Sequence, residues 1–542
     1  MVGCVGNMKT KVYEKWYDDG VLRLTKRRKK GILTPLFSRF LVIFLLLVLQ
    51  MVLFTGLFVW LGDFKPYFNA MNGLLAFVML VYLFGCDMDP TAKLTWVFFM
   101  ALFPIPVSLF LLYTRTDFGH RAIKKRVSEL VDETRNLIST EEAVAEYMDR
   151  QQDGTAELVR WINRSGCFPA FGATGAAYEA SGAEQFEVIL TELRAAEKYI
   201  FLESFIINEG YMWGKILEIL MEKAAAGVDV RVLYDGMCEI AMLPMDYNER
   251  LTSFGIRAKA FAPIRPIMSS HYNYRDHRKI MVIDGRVAFS GGINMSDEYI
   301  GRVERFGVWK DAGLVVRGEA VKSYTLMFLQ MWNIDETGKD RKLLESLAER
   351  SPKEASFDEE QGVVIPFGDC PIDNYKVGET VYLDILNRAK RHVRIMTPYL
   401  ILDGEMENAL KYAAQRGVEV SLILPGIPDK KLPYALAKSY YKTLTEAGVK
   451  IYEYTPGFVH AKVFTSDGEK AVVGSINLDY RSLYHHYECA TYLYRVPVIS
   501  EIEEDFARTL AESKEVTPET IRNERLYYRV FGKLMRFVAP LM

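Results

Sequence analysis

A pattern that occurs twice constrains this chain more than anything else in it. His277, Lys279 and Asp284 stand in HRKIMVID, and His460, Lys462 and Asp467 stand in HAKVFTSD at the same spacing. Seventeen residues after each histidine comes an asparagine in a Gly-rich turn, Asn294 in GGIN and Asn477 in GSIN. The 542 residues include only seven histidines, so composition does not account for two such matches in register.

The duplication extends outward from these motifs. LTELRAAEKYIFLESFII leads through a helical segment to GVDVRVLYDG (227–236), and LDILNRAKRHVRIMTPYLI leads likewise to GVEVSLILPG (417–426). A further helix then ends in a Gly-led strand, FGIRAKAF (254–261) or AGVKIYEY (447–454), before the His/Lys/Asp strand. Apolar runs of strand length alternate with helical periods, so each half reads as an α/β unit around a largely buried mixed sheet flanked by helices. Two homologous lobes about a pseudo-dyad would bring both motifs to one cleft. The charged, weakly periodic stretch 335–362 is the expected linker.

Ahead of the lobes the composition changes. The runs 40–62, 67–86 and 94–113 are apolar enough to predict N-terminal transmembrane helices, with Trp60, Tyr67, Trp96 and Tyr113 near their ends. Pro104 and Pro106 mark the third run for a broken helix. Lys26 to Lys30 precede the runs, and Arg115, Arg121, Lys124, Lys125 and Arg126 follow them. Both clusters ask for the cytosolic side, which three full crossings cannot give. The expected organisation is a basic cytosolic N-terminus (1–36), a membrane region (37–114), a helical connector (115–160), lobe one (161–334), the linker, and lobe two (363–542). The protein is thus expected to be multi-pass in the cell membrane with its lobes on the cytosolic side.

The near-neutral net charge of −2 supplies no basic field for nucleic acid. Six scattered cysteines without a CxxC pair argue against zinc or a disulfide framework. His485 and His486 adjoin, but no Cys or His stands beside them at ligand spacing, so no metal is expected.

The residue kit suits phosphodiester chemistry without a cofactor. A neutral imidazole attacks phosphorus, a protonated one serves the departing oxygen, and cations hold the non-bridging oxygens. Lys279 and Lys462 lie two residues from their histidines, on the same side of a strand. Asn294 and Asn477 are expected to bind the same oxygens, and Ser475 lies in the second Gly-rich turn. Each histidine also needs its second ring nitrogen held, for which Asp311 is the candidate at His277 and Glu488 at His460. Asp284 and Asp467 complete the two triplets, with support of the loop as their expected part. Lys430 and Lys431 read either as contacts for anionic head groups or as solvated lysines.

With these residues assembled, the chain resembles the bacterial cardiolipin synthases of the phospholipase D superfamily. NYRDHRKIMVIDGRVAFSGGINMSDEYIG, TPYLILDGE, LPGIPDKKLPYALAKSYYKTLTEAGVKIYEYTPGFVHAK and VVGSINLDYRSLYHHYE carry the likeness. It covers roughly residues 90–510. Departures lie in lobe one. Asp276 stands where the family usually has Asn, and the family's Trp-Arg-Asp-Thr-His run reads Trp309-Lys310-Asp311-Ala312-Gly313. The resemblance implies two phospholipase D-type lobes and a membrane-bound phosphatidyltransferase that makes cardiolipin and glycerol from two phosphatidylglycerol molecules. In that scheme His277 attacks and His460 transfers protons. It implies phosphatidylglycerol and other anionic phospholipids as partners, and no nucleotide. Hydrolysis, transfer to another alcohol, and a non-catalytic lipid-binding protein are the alternatives.

Overall fold

The computed structural model describes residues 13–25, 56, 65–86, 88–115, 118–172, 174–263, 274–336, 340–349 and 357–541. The chain forms two units: residues 26–121 with 264–270 and 540–542 in one, the remainder up to residue 539 in the other.

The larger unit holds two sheets of matching design. In lobe one the strands are β1 (Thr174–Glu179), β2 (Tyr199–Ser204), β3 (Asp229–Asp235), β4 (Arg257–Phe261), β5 (Lys279–Ile283), β6 (Val287–Gly291) and β7 (Gly313–Gly318). Their order across the sheet is β1-β7-β6-β5-β2-β3-β4. Lobe two has β8 (Val363–Asp369), β9 (His392–Met396), β10 (Glu419–Pro425), β11 (Lys450–Tyr454), β12 (Val463–Ser466), β13 (Lys470–Gly474), β14 (His486–Tyr494) and β15 (Ser513–Glu515). Its order is β8-β14-β13-β12-β9-β10-β11-β15, the same arrangement with one strand added at the edge. In each lobe three neighbouring strands are parallel, β2-β3-β4 and β9-β10-β11, and the rest pair antiparallel.

Side-chain alternation explains the layering. On β2, Ile200 and Leu202 join the core under helices Gly182–Arg194 and Tyr211–Ala225. Phe201, between them, points the other way and stacks 4.7 Å from Phe328 of helix Val321–Trp332. Both faces of the sheet are therefore covered, which is why its strands read as continuous apolar runs.

Two short strands stitch the lobes together. Val308–Lys310 of lobe one pairs in parallel with Gly457–Val459 of lobe two. Arg275–Asp276 of lobe one pairs in parallel with the start of β14, His486 and Tyr487. Each lobe thus lends the other a strand that ends one residue before a motif histidine. A β-hairpin, Trp16–Asp18 with Val21–Arg23, buries Leu22 and Leu24 against lobe one. Part of the N-terminal stretch expected to be a basic cytosolic segment is thus folded onto lobe one.

In the smaller unit the expected transmembrane helices are not borne out. Among the described residues no helix is long and apolar enough to cross a membrane. The run 40–62 lies outside the described residues apart from Gly56. The second run forms helix Lys65–Gly85, whose first eight residues include the polar Lys65, Asn69 and Asn72. The uninterrupted apolar stretch 73–84 then measures only about 18 Å. The third run breaks at the prolines into helices Pro90–Leu102 and Pro104–Arg115. These helices pack on one another through Met79, Leu83, Trp96, Met100 and Leu111. Leu74, Phe77, Val81, Phe84, Leu109 and Phe110 stay exposed.

Candidate active site

The strand exchange brings both motifs to the seam between the lobes. The His277 backbone N–H donates to the Tyr487 carbonyl at 2.9 Å, and that of His460 donates to the Lys310 carbonyl at 2.7 Å. Each histidine is therefore followed, in the partner strand, by a carboxylate of the opposite lobe. His277 Nδ1 lies 2.9 and 3.0 Å from the two Glu488 oxygens. His460 Nδ1 lies 2.7 Å from Asp311 Oδ2. This reverses the expected pairing, which put Asp311 with His277 and Glu488 with His460. Reading along one lobe could not reveal that the carboxylates are exchanged across the seam.

The carboxylates are fully buried, and each is ionised through its histidine. Burial would raise the Glu488 pKa, but His277 and His486 outweigh it and hold the group well below its ordinary value. Asp311 is likewise lowered, with His460 outweighing burial. An ionised Glu488 can only accept, so His277 Nδ1 carries the proton and Nε2 is left with its lone pair. Ser475 Oγ donates to Glu488 from behind and accepts the Cys489 N–H at 3.0 Å. The matching position in lobe one is Gly292, where an added Cβ would stand 2.1 Å from Asp311 Oδ1.

Burial lowers the pKa of all four motif bases. His277 falls well below 6.5, with Lys279 pushing the same way as burial and Glu488 opposing. His460 falls to about 4 through burial and the Lys462 charge, with Lys279 of the other lobe adding to it. Burial brings Lys279 down to about 8 and Lys462 to about 7, Lys462 being pushed further by Lys279. The two half-sites thus act on each other as one cluster. Both imidazoles are neutral here, where opposite protonation states were expected. Each lysine donates to the carbonyl of its own histidine, Lys279 to His277 and Lys462 to His460. Lys462 Nζ also lies 2.8 Å from His460 Nδ1, so ammonium and carboxylate compete for that nitrogen.

The remaining candidates separate. Asn294 is occupied: its Oδ1 accepts the Ile206 N–H at 3.0 Å and its Nδ2 donates to the Tyr299 hydroxyl at 2.7 Å. Asn477 is buried, and its Oδ1 has no hydrogen-bond partner. Asp284 and Asp467, grouped with the catalytic residues in sequence, sit at the far ends of β5 and β12. Each accepts three backbone N–H groups at the entrance to a neighbouring strand, Glu197 to Tyr199 and Lys390 to His392. They hold turns, as the loop-support reading had it, and do not face the histidines. Lys430 is mostly exposed, with Nζ 5.7 Å from the Tyr399 ring centre.

Sequence reasoning passed over several neighbours of the histidines. The His486 ring is 5.3 Å from that of His277, its Nδ1 is 3.6 Å from Glu488, and neither ring nitrogen has a hydrogen bond. Its position two residues before Glu488 on β14 was the available signal. Phe205 packs edge-on to His277 at 4.8 Å, and Trp309, Tyr299 and Phe458 surround His460.

The lobe-one departures also have physical accounts. Asp276 is buried with Glu203, and burial and the Glu203 charge raise it well above its usual value. A protonated Asp276 has the shape of the Asn it replaces. Lys310 pairs with Asp505 at 2.7 Å. Beside Gly313, an added Cβ would meet Gln185 Nε2 at 2.2 Å, so the glutamine fills the space a side chain there would take.

Comparison with known proteins agrees with this geometry. The family model described as cardiolipin synthase, PLD-like domain, matches residues 189–332 and 382–510. A cardiolipin synthase of Halalkalibacterium halodurans is 33% identical over 92% of this chain and 99% of that relative. The chain belongs to the phospholipase D-like cardiolipin synthase family. An uncharacterized protein of Streptococcus mutans is 50% identical, over 85% of this chain and 99% of its own length. Among solved structures, the phosphatidylserine synthase of Haemophilus influenzae is similar in fold, with a TM-score of 0.53 at 18% identity. That match covers 68% of this chain and 93% of the other.

Proposed function

We propose that this enzyme transfers a phosphatidyl group from one phosphatidylglycerol to another, giving cardiolipin and glycerol. The observation that carries the reading is the crossed pair of buried histidines, each held by a carboxylate of the other lobe and flanked by a lysine. His277, protonated on Nδ1 toward Glu488, attacks phosphorus with Nε2. The phosphorus–glycerol oxygen bond breaks, and that oxygen takes a proton from His460. The hydroxyl of the second phosphatidylglycerol then gives its proton to His460 and displaces His277, so the phosphorus–nitrogen bond breaks.

His460 must carry a proton in the first step, although it is neutral in the free enzyme. When His460 is protonated, its Nδ1–H is held by ionised Asp311 and its second proton stands on Nε2, where it can be given to the departing oxygen. An arriving anionic phosphodiester also stabilises positive charge on both lysines and on His460. Lys279 and Lys462 hold the non-bridging oxygens. The exposed apolar side chains of the smaller unit suit attachment to lipid without a full crossing, and the basic clusters around it favour the cytosolic face. Holding the acceptor lipid at that surface favours it over water.

Purified protein supplied with labelled phosphatidylglycerol in vesicles tests the reading. Cardiolipin with released glycerol is expected, together with loss of any trapped phosphatidyl-enzyme in His277→Ala. Phosphatidic acid as sole product would mean hydrolysis, and no turnover would mean a binding protein.

A further inference from the structure

The C-terminal helix Leu526–Val538 presents a face that the fold leaves uncovered. Its inner side is fixed to helix Lys431–Glu446. Gly532 lies so close that an added Cβ would come within 2.2 Å of the Ala435 carbonyl oxygen. Tyr528 packs edge-on to Tyr434 at 5.6 Å, and the Arg536 guanidinium lies 4.1 Å from the Tyr440 ring centre. The helix is therefore held in one rotation about its axis, and what faces outward is determined.

Outward lie Leu526, Val530 and Leu534, spaced four apart on one stripe and 72%, 52% and 64% exposed. A water-facing surface helix would carry polar residues there. Along one edge of the stripe runs a second exposed row, Arg525 at the helix start, Arg529 and Lys533. The helix itself contains no acidic residue. Nearby Glu524 is engaged by Lys438 on the inner side. An apolar stripe bordered by cations is the pattern of a helix lying in the plane of a membrane surface, with its apolar row in the acyl boundary and its cations at anionic phosphates. A protein partner or a second copy would account for the apolar row but gives no reason for an unopposed basic row beside it.

We propose that this helix is an interfacial docking element that seats lobe two on an anionic phospholipid surface. It would act separately from the apolar N-terminal unit.

The full-length protein is labelled with an environment-sensitive fluorophore at Val530→Cys, with accessible native cysteines replaced by serine. A second labelled protein carries the probe at Lys442→Cys, on the solvent side of the neighbouring helix. Both are reconstituted in vesicles of phosphatidylcholine alone or with phosphatidylglycerol, each containing a lipid with brominated acyl chains as quencher. The position-530 probe should be quenched when phosphatidylglycerol is present and much less without it, while the position-442 probe stays unquenched. Arg529→Gln with Lys533→Gln should raise, several-fold, the fraction of phosphatidylglycerol needed for half-maximal quenching. A position-530 probe as water-exposed as position 442 in both vesicles would overturn the proposal. So would equal quenching in the two vesicles, or shielding that follows protein concentration instead of lipid. The readout is fluorescence and not turnover, so failure here and failure of the transferase reading are told apart.

Discussion

His277 rests on a glutamate and His460 on an aspartate, and the positions behind those carboxylates differ accordingly. Glu488 is long and is pinned from behind by Ser475. Asp311 is short and occupies space that only Gly292 leaves open. The nucleophile candidate meets both oxygens of its carboxylate and has a second imidazole, His486, against its ring. The proton-transfer candidate meets one oxygen and a lysine at the same nitrogen. The asparagines diverge in the same sense, Asn294 being tied into the fold while Asn477 keeps a bare oxygen. Duplication supplied two equal half-sites, and the residues one step behind the histidines made them unequal. One histidine is fixed in a single tautomer, and the other has an acceptor and a donor contending for one ring nitrogen.

The largest expected effect breaks the comparison at its small-residue position. Gly292→Ala should push Asp311 off His460 and cost about a hundredfold in kcat/KM, while Ser475→Gly removes one hydrogen bond and costs about tenfold. Steady-state kinetics on both variants, with melting temperatures to exclude unfolding, checks the order.

The pH profile sharpens the comparison of the lysines. Lys462 is lowered to about 7 and Lys279 to about 8, and each loses positive charge as pH rises through its value. The lysines' contribution to kcat/KM should therefore be lost on the alkaline side between about pH 7 and 8, as a further fall beyond the decline set by His460, which must be protonated and is lowered to about 4. Both histidine values are depressed, so protonation does not remove the neutral nucleophile at pH 6.5 and no acid limb should appear there. The smallest effect belongs to Asp276→Asn. Burial already holds Asp276 protonated, so activity should change less than about threefold, measured with the same labelled lipid.

Much of this was legible in the chain itself. The strand-length apolar runs and their repetition announce two α/β lobes. The expectation that His and Lys share one side of a strand is met only near its start, since His277 precedes β5 and His460 and Lys462 both precede β12. The broken third run was legible from Pro104 and Pro106. The exchange of Asp311 and Glu488 was not, because it depends on short strands pairing between the lobes, 275–276 with 486–487 and 308–310 with 457–459. Nor was the folding of residues 16–23 onto lobe one, since two three-residue strands leave no periodic signal. The apolar runs suggested spans because hydropathy sums over residues, whereas three asymmetrically placed polar residues and a proline break shorten what a helix can offer.

The crossed assignment is tested most directly by rapid quenching of the phosphatidyl-enzyme in two variants, Glu488→Gln and Asp311→Asn. With labelled phosphatidylglycerol, Glu488→Gln should slow formation of the adduct on His277, and Asp311→Asn, by impairing proton transfer to and from His460, should lower turnover while leaving that adduct mapped to His277. An adduct that fails to form in Asp311→Asn but forms normally in Glu488→Gln, or one that maps to His460, would contradict the account.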